Sequence, residues 1–134
     1  MATPAEGLSV VIFEDSRDSV YREFAQEAAE RAGWEHQTFD RPYPATDAIT
    51  QETDAVITAL GIQGSVFTDH PATPIFDRTD TLLIPRAIYS GHPWASDLVR
   101  SAFPDILIPK TEPELIVERL SAWLLMLTKA LNEG

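Results

Sequence analysis

The sequence predicts a doubly wound α/β domain, with a five-stranded parallel sheet held between two helical layers. Two observations predict it: short Val- and Ile-rich runs that are apolar at nearly every position, and amphipathic segments that alternate with them along 134 residues. A strand that shows no polar alternation is buried on both faces, which requires a parallel sheet covered by helices. Repeated strand–helix alternation then builds right-handed crossovers onto one sheet. The length suits a single domain, 1–134, in which residues 1–7 are expected to be disordered.

Leu8 to Phe13 (LSVVIF) is the first strand. Polar residues Glu14 to Asp18 break it, after which Val20, Tyr21, Phe24, Ala25, Ala28 and Ala32 recur at helical spacing until Gly33 stops the helix. Trp34 to Phe39 forms the second strand, and Asp40 to Pro44 reads as a proline-rich loop, leaving a short helix near Ala45 to Glu52. Asp54 to Gly61 is a third buried strand ending in a glycine turn. From Ile62 to Asp80, Pro71 and Pro74 disfavour an uninterrupted helix. Pro85 divides Leu82 to Ile84 from Ala87 to Tyr89, and because a central strand excludes proline, the fourth strand is the later piece. Trp94, Leu98, Val99, Ala102 and Phe103 suggest a short helix, and Asp105 to Pro109 supplies the fifth strand. The last helix starts at Thr111, a capping residue followed by Glu112, Pro113 and Glu114, and runs to about Asn132. Its expected core stripe is Ile116, Val117, Leu120, Trp123, Leu124, Leu127 and Leu131.

Charge and composition exclude whole classes of function. Ten Lys+Arg against 21 Asp+Glu leave a net charge of -11, which repels nucleic-acid phosphates and anionic lipid surfaces. With no cysteine there is no disulfide, thiolate metal site or thiol nucleophile. The amino terminus lacks a basic stretch leading into an apolar run, and no apolar run approaches the roughly 20 residues of a membrane span, so a cytoplasmic protein is expected. His36, His70 and His92 stand at no metal-ligand spacing, Ser65 lacks the Gly-x-Ser-x-Gly frame of a nucleophile elbow, and no phosphate-binding glycine motif occurs. No enzymatic activity is expected.

In a doubly wound sheet, functional residues gather beyond the carboxyl ends of the strands. Here those positions carry Glu14 and Asp15, then the end of the third strand, then Ser90, then Lys110. Intervals of 44 residues from Asp15 to Ala59, 31 to Ser90 and 20 to Lys110 complete the pattern. Two acids, a hydroxyl and a lysine at these spacings resemble the receiver domain of two-component response regulators, the CheY-like member of the flavodoxin-like three-layer sandwiches. The resemblance covers nearly the whole chain. It implies that Glu14 and Asp15 are the Mg2+ ligands, that the last residue of the third strand accepts a phosphoryl group, and that Ser90 and Lys110 turn toward it. The logic is neutralisation of charge around that group.

The chain departs from the pattern at its centre, where Ala59 stands in place of the phosphoacceptor aspartate and neither Thr58 nor Leu60 supplies a carboxylate. Leu107 stands where many receivers carry an aromatic switch residue, and Phe67 to Phe76 bears prolines where they have a regular helix. The expectation is a pseudo-receiver that signals through protein contact without aspartyl phosphorylation, with Ala59, Ser90 and Lys110 as a vestigial pocket. Two acids alone hold Mg2+ weakly, so no tightly bound cofactor is expected. Lys110 is one of two lysines, and without a phosphoryl group it can pair with Glu14 or Asp15. Otherwise the two acids simply solvate a strand end. On the last helix, Leu115, Ala122, Leu125 and Met126 lie off the core stripe and are the expected contact surface for a protein partner or a second copy. The alternative is a small flavodoxin-like enzyme or ligand-binding domain using the same crevice, which the anionic Glu14, Asp15 and Asp18 oppose for any phosphate-bearing ligand.

Overall fold

The computed structural model describes residues 7–14, 19–59, 73–90, 105–109 and 112–133, with the backbone alone at 19, 59, 89 and 90. Five strands, β1 (Ser9–Phe13), β2 (Glu35–Phe39), β3 (Ala55–Ala59), β4 (Arg86–Ser90) and β5 (Ile106–Pro109), form one sheet in the order β2-β1-β3-β4-β5. Every neighbouring pair is parallel. Among the described residues, four helices accompany them: α1 (Ser19–Ala32), α2 (Pro42–Ala48), α3 (Thr73–Leu82) and α4 (Ile116–Glu133). The doubly wound parallel sandwich expected from the sequence is therefore the observed fold.

Burial on both faces explains the apolar strands. On one face, Val10, Ile12 and Ile57 pack with Ala25, Ala28 and Ala29 of α1 and with Leu120, Trp123 and Leu124 of α4. Alanines at those α1 positions bring its backbone close to the sheet and to α4. On the other face, Val11, Phe13, Val56 and Ile88 pack with Ala45 of α2 and with Ile75 and Phe76 of α3. Each fully buried aliphatic side chain contributes about 1.5–3 kcal/mol.

Two polar devices pin the layers. The Trp34 indole N–H donates to Thr128 Oγ1 at 2.9 Å, and that hydroxyl donates to the Leu124 carbonyl at 2.9 Å, joining the start of β2 to α4. At the amino end of β4, the Arg86 backbone N–H donates to Asp105 Oδ1 at 2.9 Å and its Nε to Oδ2 at 3.0 Å. Both side chains are buried. The same guanidinium reaches Asp80 Oδ1 at 3.1 Å and lies 5.2 Å from the Phe76 ring centroid.

Several expectations are corrected. α2 begins at Pro42 and ends at Ala48, so the proline-rich stretch is its first turn and not a loop, and the helix does not reach Glu52. α3 likewise opens through Pro74, so the later part of the stretch Phe67 to Phe76 is regular helix from Thr73 onward, and its earlier part lies outside the described residues. In a first turn the backbone N–H has no intrahelical partner, so proline forfeits nothing there. Before α4, Pro113–Leu115 forms a 3-10 turn, and Glu112 precedes it without a side-chain cap. Leu131 is 47% exposed, whereas Thr128 is buried in its stripe. Val20 of α1 is exposed and Ala29 takes a core position instead. Thr111, expected as the cap, and the helix expected around 94–103 lie outside the described residues. Among the described residues, no helix is long and apolar enough to cross a membrane.

Leu83, the residue after α3, lies in the left-handed region at φ 57 and is 77% exposed. Glycine occupies such a position without a Cβ penalty, while leucine here recovers little burial. Leu83→Gly is therefore expected to stabilise the protein by up to about 1 kcal/mol, after allowing for the greater freedom of glycine in the unfolded chain. Urea unfolding checks this, and a loss of stability would show that Leu83 makes a contact worth more than its strain.

Candidate functional site

The strand order changes direction between β1 and β3, and the crevice at such a reversal opens beyond the carboxyl ends of the strands. Register fixes what meets there. Phe13 pairs with Thr58, which sets Glu14 level with Ala59, the last residue of β3. Ala59 pairs with Tyr89, and Ser90, the last residue of β4, pairs with Pro109, the last of β5. The backbone positions of Glu14, Ala59 and Ser90 thus converge on one edge, with Lys110 one residue beyond β5.

Glu14 is the acid whose surroundings are described. Its backbone N–H donates to the Phe39 carbonyl at 3.0 Å, extending the β1–β2 ladder by one bond. The residue is 1% exposed. A strand-end acid that merely faces solvent is thereby corrected for Glu14: its carboxyl group lies inside the edge, where an ionised form requires polar or cationic company. Asp15 and Lys110 lie outside the described residues, as do the side chains of Ala59 and Ser90. So do Leu60, Gly61, Ser65, His70 and His92. Among the described residues, no three His, Asp or Glu side chains gather as a metal site.

The sequence reading passed over Arg22. It lies in the first turns of α1, the helix that departs from this edge after β1, and its Nε is buried without a hydrogen-bond partner. An isolated arginine in an amphipathic helix carries no sequence signal, since most are solvated. Its position follows from the topology, since α1 is the helix that comes after β1.

Of the contact residues expected on the last helix, Leu125 and Met126 are 52% and 56% exposed. Ala122, one turn earlier, is also exposed, while Leu115 is half-buried in the turn before α4. These positions lie opposite Leu120, Trp123, Leu124 and Leu127, which face the sheet.

No protein-family model and no curated protein matches the sequence. Solved structures do. A response regulator receiver domain from Clostridium thermocellum superposes with a TM-score of 0.66 over 93% of this chain and 97% of its own, at 14% identity. A CheY-like receiver domain from Methanospirillum hungatei gives 0.63 over 95% and 98%, at 13% identity. The chain has the receiver-domain fold. A de novo designed Rossmann 2x3 protein also superposes, with a TM-score of 0.59 over 88% of this chain and 89% of its own, at 15% identity. The receiver-domain fold thus shares its architecture with a designed scaffold, and function has to be argued from the residues at its edges.

Proposed function

We propose that this chain is a pseudo-receiver, a signalling module that acts through protein contact without aspartyl phosphorylation. One observation carries the reading: β3 of a receiver-like fold ends at Ala59, level with the buried Glu14 and beside the end of β4. An alanine has no group that attacks phosphorus, so the step on which receiver signalling depends lacks its nucleophile. Ser90 and Lys110 then remain as parts of a pocket whose phosphoryl group no longer arrives, and Mg2+ at Glu14 and Asp15 is weak and dispensable. With no phosphoryl chemistry, regulation passes to the availability of a partner.

The contact surface we favour is the outer face of α4, where Ala122, Leu125 and Met126 are exposed next to one another. A second copy of the chain or a different protein can cover this stripe.

Intact-mass measurement after treatment with a small phosphodonor and Mg2+ tests the first half of the reading. An unchanged mass is expected, and stoichiometric phosphorylation would overturn it. Sedimentation of wild type against Ala122→Glu combined with Met126→Glu tests the second half. If the face joins two copies, wild type sediments as a dimer and the variant as a monomer. A wild-type dimer that the variant leaves intact would remove this face from consideration.

A further inference from the structure

The sheet carries a second concavity at the opposite, amino end of β1 and β2. Because α2 stops at Ala48, no helix among the described residues covers the first half of β2 on that face. The result is a cleft of about 400 Å³ between the strands and the segment after α2. A volume of this order lies within the range of small-molecule sites. Glu35 pairs in register with Ser9 and Gln37 with Val11, so alternation sends both side chains to the face that Val11 shares with α2. Glu52, Thr50 and Thr53 line the opposing wall.

The lining offers acceptors and few donors. The Ser9 hydroxyl donates its proton to the Glu52 carbonyl at 3.2 Å, and the Thr53 hydroxyl points its own to the Ala48 carbonyl at 3.5 Å. The Thr50 backbone N–H donates to Thr53 Oγ1 at 3.0 Å, and that of Glu52 to Thr50 Oγ1 at 3.2 Å. Ser9 N–H is likewise taken by Asp54 Oδ2 at 3.0 Å. Among the described residues, what stays uncommitted is carboxylate oxygen on the exposed Glu35 and Glu52 and the carboxamide of the exposed Gln37, which offers an acceptor oxygen beside its two N–H donors. No lysine or arginine among the described residues lines the cleft. The one imidazole, His36, is directed to the other face, where its Nε2 lies 3.6 Å from Glu30. The net charge of -11 adds a long-range bias toward cations.

We propose that this cleft binds a guanidinium group. A planar cation with five N–H donors matches a lining of two carboxylates and hydroxyl lone pairs better than a neutral or anionic ligand does. The group is either that of a free arginine-like molecule or an arginine side chain on a polypeptide. The site is separate from the carboxyl edge and does not depend on the pseudo-receiver reading.

Backbone amide NMR of the full chain, titrated at constant ionic strength with L-argininamide, tests the assignment. Saturable shifts are expected at Ser9, Gln37, Thr50 and Glu52, with none from L-citrullinamide, the neutral isostere. Glu35→Gln combined with Glu52→Gln, both exposed and outside the core, is expected to weaken the argininamide response about tenfold or more while leaving the melting temperature unchanged. Equal responses to the two amides would overturn the proposal. So would argininamide shifts at exposed Glu23 and Glu27 of α1 as large as those in the cleft. A blocked Gly-Arg-Gly peptide separates the two sources: tighter binding than argininamide assigns the group to a polypeptide, and equal binding to a free small molecule.

Discussion

Replacing Asp105 with alanine is expected to cost about 3–5 kcal/mol, the range for removing one partner of a buried ion pair. Asp105 satisfies both the backbone N–H and the Nε of Arg86, and both side chains are almost fully out of contact with water. The substitution strands a guanidinium in the interior at the joint between α3, β4 and β5. Asp80, which is 57% exposed, reaches Nη1 from the rim and offsets a small part of the loss. The measurement is urea unfolding followed by circular dichroism. A loss below about 1 kcal/mol would mean that the guanidinium escapes to solvent and that the buried pair does not hold the joint. The double substitution Arg86→Met, Asp105→Leu is expected to recover much of the stability, because a buried pair exchanged for apolar groups is often neutral. Recovery stays incomplete, since the backbone N–H of residue 86 keeps no acceptor at 105.

Trp123→Ala is expected to cost a further about 3–5 kcal/mol in the same assay, from lost burial and the cavity left behind. Trp123 is 2% exposed and is the largest of the fully buried side chains. It sits where α4 meets the sheet among Leu120, Leu124 and Leu127. Leu125→Ala, two residues away and 52% exposed, is expected to stay within about 0.5 kcal/mol of wild type. A large loss at Leu125 would mean that the outer face of α4 is already covered within the fold, and that it cannot serve as the contact surface. The pair therefore tests the orientation of the helix and its use together.

β1, β3 and β4 were legible as short, mostly apolar runs with buried character, whereas β2, Glu35–Phe39, has no buried residue and was legible only by its place between two helices. The helices flanked by proline were not. Pro42 and Pro74 act as breakers inside a helix but as starters in its first turn, and sequence position alone does not distinguish the two roles. Thr128 was invisible as a core residue because its burial depends on Trp34, 94 residues away. Nothing in the sequence marks Arg86 and Asp105 as a pair, and it is the parallel register of β4 with β5 that makes them partners. At the carboxyl edge, the register sets the strand ends at Glu14, Ala59 and Ser90 beside one another, because strand lengths are regular. The burial of Glu14 was not readable, because it depends on what closes over the edge. The cleft at the other end carries no motif at all, being created by the shortness of α2.

The packing of α1 against α4 also bears on how the chain comes off the ribosome. Val10, Ile12, Ala25 and Ala28 are synthesised well before the residues that cover them, Leu120, Trp123 and Leu124. Until then one face of the sheet has half its cover missing, and contacts of such long sequence separation form slowly. A nascent chain stalled before Ile116 exposes a continuous apolar surface on parallel strands, a substrate for chaperones or for aggregation. Completion of this face therefore waits for α4, however early the strands beneath it are made.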